Sequence, residues 1–313
     1  MAHLFTDAQS HVRSGWKAFL FFLSYGAFTL VLALPCFVIM AVLQKQPQPH
    51  MESVEPFLGA TAALAVSLWA VRIEERSFQS LGFVLQGRWF REFGLGTLLG
   101  GMLITLVALL LRLQGGFHWA SNPAGSLKGI AIGFLLFVVV GVHEETVFRG
   151  YPFQRLMERT GVWPTQVVLG FLFAAMHLGN PGISMAGLTL KLLTMLHLFL
   201  AAILFGLCYL RTRSLALPIG VHLGWNWFQG SLLGFDVSGT TMAKGFWKPV
   251  LHQGPDWLTG GAVGLEGSVF CALVSVLGII GLVLWKPRGA SMGQPEEAAP
   301  PVFPVPEVSG DIG

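Results

Sequence analysis

Long apolar runs broken by short polar stretches set the organisation of this chain. A membrane-crossing helix needs roughly 20 mainly apolar residues to traverse about 30 Å of hydrocarbon. Eight runs are candidates, at 18–43, 54–71, 93–111, 128–148, 164–179, 188–210, 215–235 and 264–285. The second and fifth are short. The fifth stops at Asn180-Pro181-Gly182, a strong helix breaker, so it can end inside the protein. The segment from Glu74 to Glu92 is polar with apolar punctuation, the pattern of an amphipathic helix lying along the inner interface. Gly96-x-x-x-Gly100 and Gly129-x-x-x-Gly133 place small residues one turn apart on the third and fourth runs, which suits close packing of helices. The loop 236–263 carries Trp247 and Trp257 and is expected to pack at the outer face.

The predicted fold is all-α, a polytopic membrane helix bundle of about eight transmembrane helices. Its divisions are 1–124 (three spans and the interfacial segment), a central block 125–235, 236–288 (outer loop and last span) and a tail 289–313. The tail is rich in Pro, Glu, Ser and Gly, and its composition predicts disorder.

Composition agrees with the pattern. Of 313 residues, 53% are hydrophobic and 11% charged, where an average soluble domain is nearer a quarter charged. So few charges cannot cover a solvated globule of this size, whereas a lipid-facing surface is apolar. A net charge of +3 without a basic run gives no footprint for nucleic acid. Cys36, Cys208 and Cys271 fall inside apolar stretches and read as small buried residues. The first run is too long for the apolar core of a signal peptide and lacks a clear cleavage site, so it reads as a retained span. With the N-terminus inside, inner segments hold 13 Lys and Arg and outer segments hold 6. That excess predicts both termini to be cytoplasmic.

Against this background a few polar residues stand out. A charged group within a membrane helix costs about 2.5–3.5 kcal/mol or more, so it faces a bundle interior or a wet cavity. The fourth run ends in His143-Glu144-Glu145-Thr-Val-Phe148-Arg149. Glu145 and Arg149, four apart with the acid first, share a face and can pair. Glu144 points about 100° away and stays free for chemistry. Phe173 and His177 fall near the end of the fifth run, and His222 and Asn226 lie one turn apart in the seventh. Each has a plain reading when taken alone: a span-ending charge cluster, a packing histidine, a polar pair gluing helices. Phe173 itself reads as packing, and His197, with no partner at helical spacing, reads as packing or support. Taken together, Glu144, His177 and His222 supply the nitrogen and oxygen donors of a catalytic Zn²⁺ site with three protein ligands, provided three helices converge. His177 lies far along its helix from the inner face, and meets the others only if that helix is strongly tilted or starts deep.

At these residues the chain resembles the CPBP intramembrane protease family, which includes CAAX prenyl proteases and Abi-like proteins. The family pattern is Glu-Glu-x-x-x-Arg, then Phe-x-x-x-His, then His-x-x-x-Asn. Here it is Glu144-Glu145 with Arg149, Phe173 with His177, and His222 with Asn226. The run from Arg211 through Pro218 and Gly220 into His222 is also similar, and the likeness spans about 125–235. The resemblance implies an intramembrane endopeptidase with its site near the cytoplasmic leaflet, hydrolysing a peptide or membrane-protein substrate. The implied catalytic set is Glu144, Glu145, Arg149, His177, His222 and Asn226. In one mechanism Glu144, His177 and His222 bind a divalent metal, expected to be zinc, that acidifies water and polarises the carbonyl. In the other, Glu144 is general base with help from His177, and His222 with Asn226 stabilises the oxyanion. The expected setting is the inner or plasma membrane. Competing readings are a catalytically silent scaffold or immunity protein of the same fold, and a small proton-coupled transporter.

Overall fold

The computed structural model describes residues 12–43, 48–241 and 245–285, with backbone alone for 48–53. The tail expected to be disordered lies outside the described residues. Each of the eight apolar runs is helical, as the pattern predicts: α1 (Ser14–Val42), α2 (Gln48–Ile73), α3 (Gly87–Leu113), α4 (Leu127–Arg149), α6 (Val162–Met176), α8 (Leu188–Thr212), α9 (Ala216–Trp227) and α11 (Val269–Leu284). Between them lie the short α5 (Tyr151–Thr160), α7 (Pro181–Ser184) and α10 (Asp256–Thr259). The chain is a helical bundle and an integral membrane protein. Six helices among the described residues are long and apolar enough to cross a membrane. The last two apolar runs are shorter. α9 has 12 residues and runs into a π-helical turn at Phe228–Leu232, and α11 has 16.

The stretch from Glu74 to Glu92 differs from its expectation. It is no continuous amphipathic helix but a 3₁₀ turn, Phe78–Leu81, closed by Gly82 at φ 102° and then, from Gly87, the start of α3; the left-handed conformation suits glycine. The polar helix of this region is α5, packed against α1. Its buried Gln154 donates to Ser80 O and to the Tyr209 hydroxyl. Glu74 joins three elements here. It meets Lys17 of α1 at 2.8 Å and Arg155 of α5 at 3.5 Å, and accepts from the Tyr151 hydroxyl at 2.8 Å. Burial pushes the Glu74 carboxyl up, but the Lys17 hydrogen bond, Arg155 and Tyr151 outweigh it and hold the carboxyl below its ordinary value.

α9 lies against α3, α4 and α8. The α3–α9 seam is made by two glycine pairs facing each other. A Cβ on Gly96 or Gly100 would strike the backbone of Leu217 or Val221, and one on Gly220 or Gly224 would strike that of Phe93 or Thr97. The small-residue spacing on α3 thus has its counterpart on α9, and the backbones touch where side chains would normally stand. On α4 the close approach to α9 falls at Gly141, whose added Cβ would sit 3.3 Å from Ile219 O. Two strands, β1 (Phe117–Ser121) and β2 (Trp247–Leu251), pair antiparallel from Phe117↔Leu251 to Ser121↔Trp247. They tie the loop between α3 and α4 to the loop that follows α9.

Candidate active site

The seam orients α9. Gly220 and His222 are two residues apart, about 200° around a helix. Pressing the glycine face onto α3 therefore turns His222 and Asn226 the other way, into a cavity of about 410 Å³. Glu144, His177, His222 and Asn226 all line it, together with His143, Trp225 and Glu266.

Glu144 comes from the last turns of α4. Its Oε2 lies 3.8 Å from His177 Nε2 and 3.9 Å from His222 Nε2, with 21% of the side chain exposed. That oxygen has no hydrogen-bond partner among the described residues. The other nitrogen of each imidazole is held. His177 Nδ1 lies 2.8 Å from Phe173 O, an acceptor only, so the proton sits on Nδ1. His222 Nδ1 donates to Glu145 Oε1 at 2.9 Å. In their neutral forms both rings therefore aim an unprotonated Nε2 at the free oxygen of Glu144. Lone pairs converge here from three sides, a setting that calls for a water, a proton or a cation.

Glu145 is fully buried and does more than its sequence partner implies. The same Oε1 accepts from Arg149 Nη1 at 3.2 Å and from His222 Nδ1. The Arg149 pairing is the one the i, i+4 spacing predicts. The grip on His222, 77 residues away, has no signature in the sequence. Arg149 in turn donates to Ala202 O at 2.8 Å, and its guanidinium lies 5.0 Å from the Phe173 ring and 5.2 Å from Phe205. Neither Glu145 nor Arg149 lines the cavity; they hold His222 from behind.

His177 does reach the others. Phe173, one turn earlier, packs edge-on against Phe148 at 5.2 Å and against His222 at 6.3 Å. The C-terminal end of α6 is thereby set beside the glutamate pair. Phe173 is 2% exposed and packs, as expected. His197 is also a packing residue. It is buried, stacks on Trp225 with centroids 5.4 Å apart, and lies 3.2 Å from the Ser275 hydroxyl. The Asn226 side chain lines the cavity and makes no hydrogen bond to another described residue.

Sequence reasoning leaves three lining groups without a role. His143 pairs with the Tyr25 hydroxyl at 2.5 Å, beside Gly59, where a Cβ would strike its ring. Glu266, before α11, is 3% exposed and accepts from both the amide and the hydroxyl of Ser238. Neither carries a helical-spacing partner that would mark it in advance. Trp225 sits between His222 and Asn226 in sequence but reads as an ordinary buried aromatic.

For a metal, the donor set is suitable: two imidazole Nε2 atoms without protons and an orphaned carboxylate oxygen. Ligands on one tetrahedral zinc, each about 2.0–2.2 Å from it, stand roughly 3.4 Å apart. The separations here are 3.8 and 3.9 Å. Among the described residues no group of three His, Cys, Asp or Glu is drawn together closely enough to be a ready-made site. Each imidazole is thus within a few tenths of an ångström of the ligand spacing relative to Glu144.

Fold and cavity together define a membrane helix bundle with a buried acid–imidazole centre. Residues 125–228 match the family described as type II CAAX prenyl endopeptidase, Rce1-like. The matched segment resembles the CPBP/CAAX protease family and holds every residue of the expected catalytic set. No curated protein compared with the chain matches it.

Proposed function

We propose that the chain is an intramembrane endopeptidase that hydrolyses a peptide bond with water activated at Glu144. The observation that carries this reading is the unpartnered Glu144 Oε2 faced by His177 Nε2 and His222 Nε2 at 3.8 and 3.9 Å. A water between them can donate to Glu144 and to His177. As its oxygen bonds to the scissile carbonyl carbon, Glu144 takes its proton, which then passes to the leaving amine as the C–N bond breaks. The developing oxyanion is met by the Asn226 amide and by His222. His222 donates from Nε2 when doubly protonated, and Glu145 accepts from Nδ1 in either protonation state. Arg149 keeps Glu145 in place. The residues that touch substrate or water are Glu144, His177, His222 and Asn226; Glu145 and Arg149 act through His222.

A second form of the mechanism would use zinc as cofactor, held by Glu144, His177 and His222, with His222 then a ligand through Nε2 and not a donor to the oxyanion. When bound, such an ion supplies Lewis-acid polarisation of the carbonyl and a more acidic water. The description of the matched family makes a prenylated C-terminal peptide the first substrate class to try. A peptide of an unmodified membrane protein is the second. The Lys and Arg balance supports cytoplasmic termini.

The test is cleavage of both peptide classes in H₂¹⁸O by the protein in bilayer discs. A single ¹⁸O in the new carboxylate of each product is expected. Intact peptide in every case, from folded protein, would contradict the reading. Zinc content supplies a separate readout: one ion per chain, lost in His177→Ala and in His222→Ala. Zinc indifferent to both changes would end the ligand assignment and leave the water-activation reading standing.

A further inference from the structure

A second hollow lies on the lipid-facing side, away from the cavity. It is a groove of about 1150 Å³ between α3, α8, α9 and α11, larger than the 300–1,000 Å³ usual for a small-ligand pocket. Its polarity is sorted by position. Arg88 and Arg91 stand in the first turn of α3, Arg211 and Thr212 in the last turn of α8, and Trp285 just past the end of α11. All are helix ends of one side of the bundle. Along the helices the walls are apolar, with Leu95, Leu99, Leu103, Leu204 and Leu277. From Leu95 to Leu103 the wall runs about 12 Å at 1.5 Å per residue, most of one leaflet's share of a roughly 30 Å core. Gly281 of α11 also lines the groove, and a Cβ added there would meet nothing within 4 Å.

The charges are unbalanced. Arg88 pairs with Glu92 at 2.7 Å, Arg211 donates to Leu282 O and Val283 O, and Arg91 makes no ion pair among the described residues. Three guanidiniums face one carboxylate, whose Oε2 is buried and lacks a hydrogen-bond partner among the described residues. A head with net positive charge, one unused acceptor and a tryptophan at its edge, above a leucine-walled trough, has the polarity of a phospholipid in reverse.

We propose that this groove is a binding site for an anionic phospholipid. The phosphate lies on Arg88 and Arg91, a headgroup hydroxyl donates to Glu92, and an acyl chain fills the leucine trough. Basic pockets between helices at a membrane surface bind anionic headgroups by this chemistry. The inference does not depend on the proposed hydrolytic activity.

Native mass spectrometry of the purified chain tests it, with phosphatidylglycerol and phosphatidylcholine of identical acyl chains offered in equal amounts. Retention of phosphatidylglycerol over phosphatidylcholine by about thirtyfold is expected, on the scale of two arginines each contributing near an anionic surface. The double variant Arg88→Gln/Arg91→Gln should abolish the preference, while Arg112→Gln, at the other end of α3, should keep it. Leu103→Trp, which leaves every charge in place, should lower retention by filling the trough. Equal retention of both lipids, a preference that survives the double variant, or displacement of the lipid by inorganic phosphate alone would overturn the proposal.

Discussion

The two faces of α9 share a backbone and do opposite work. On one, Gly220 and Gly224 remove side chains so that α3 can come into backbone contact. On the other, His222 and Asn226 place polar side chains in the cavity. The glycine face contributes no chemistry, yet it fixes where the polar face points. The polar face bears the cost of burying charge, and Glu145 with Arg149 meets that cost out of reach of the cavity. A buried polar site is therefore positioned from two sides: by close packing behind it and by a hydrogen-bonded charge pair beside it.

Substitutions that strike one face and spare the other separate these roles. The largest expected loss of stability follows Arg149→Ala, which leaves the fully buried Glu145 without its cation. Breaking one partner of such a pair costs about 3–5 kcal/mol, seen as a large fall in the thermal midpoint together with loss of cleavage. Asn226→Ala should do the reverse. Turnover falls by about 10²–10³-fold, the usual cost of one oxyanion donor, with the thermal midpoint unchanged. Gly224→Ala sets a methyl against the Thr97 backbone and should cost about 1–3 kcal/mol. It should also reduce cleavage without touching any polar group, because small misplacements of catalytic groups are expensive. An unaltered midpoint in that variant would remove the seam from the account.

The smallest effect belongs to Glu74, far from either face. Its carboxyl is held below the ordinary value of 4.5, so its stabilisation is complete above that pH and fades as the pH falls through the folded-state value. Glu74→Gln should destabilise by about 1 kcal/mol at neutral pH. The gap from the parent chain should close in acid, measured as unfolding midpoints across pH. A gap that widens in acid would reverse the assigned sign.

The sequence displays what local spacing controls. Apolar runs place the helices, and i, i+4 spacing correctly pairs Glu145 with Arg149 and sets His222 beside Asn226 on one face. Long-range contacts leave no such trace. The hydrogen bond from His222 to Glu145 joins positions 77 apart. The glycines of α9 are identifiable as a packing pair only once α3 is seen against them. Glu266 approaches the cavity from a loop whose course depends on Ser238. The segment Glu74–Glu92 has the composition of an interfacial helix, but a left-handed Gly82 breaks it.

The account rests on Glu144 as the group that takes the proton from water, and Glu144→Gln tests it most directly. Single-turnover cleavage of a membrane peptide should fall by at least about 10²–10⁴-fold, the contribution of a positioned general base, while the thermal midpoint stays at that of the parent chain. Cleavage at the parent rate by the folded variant would contradict the account.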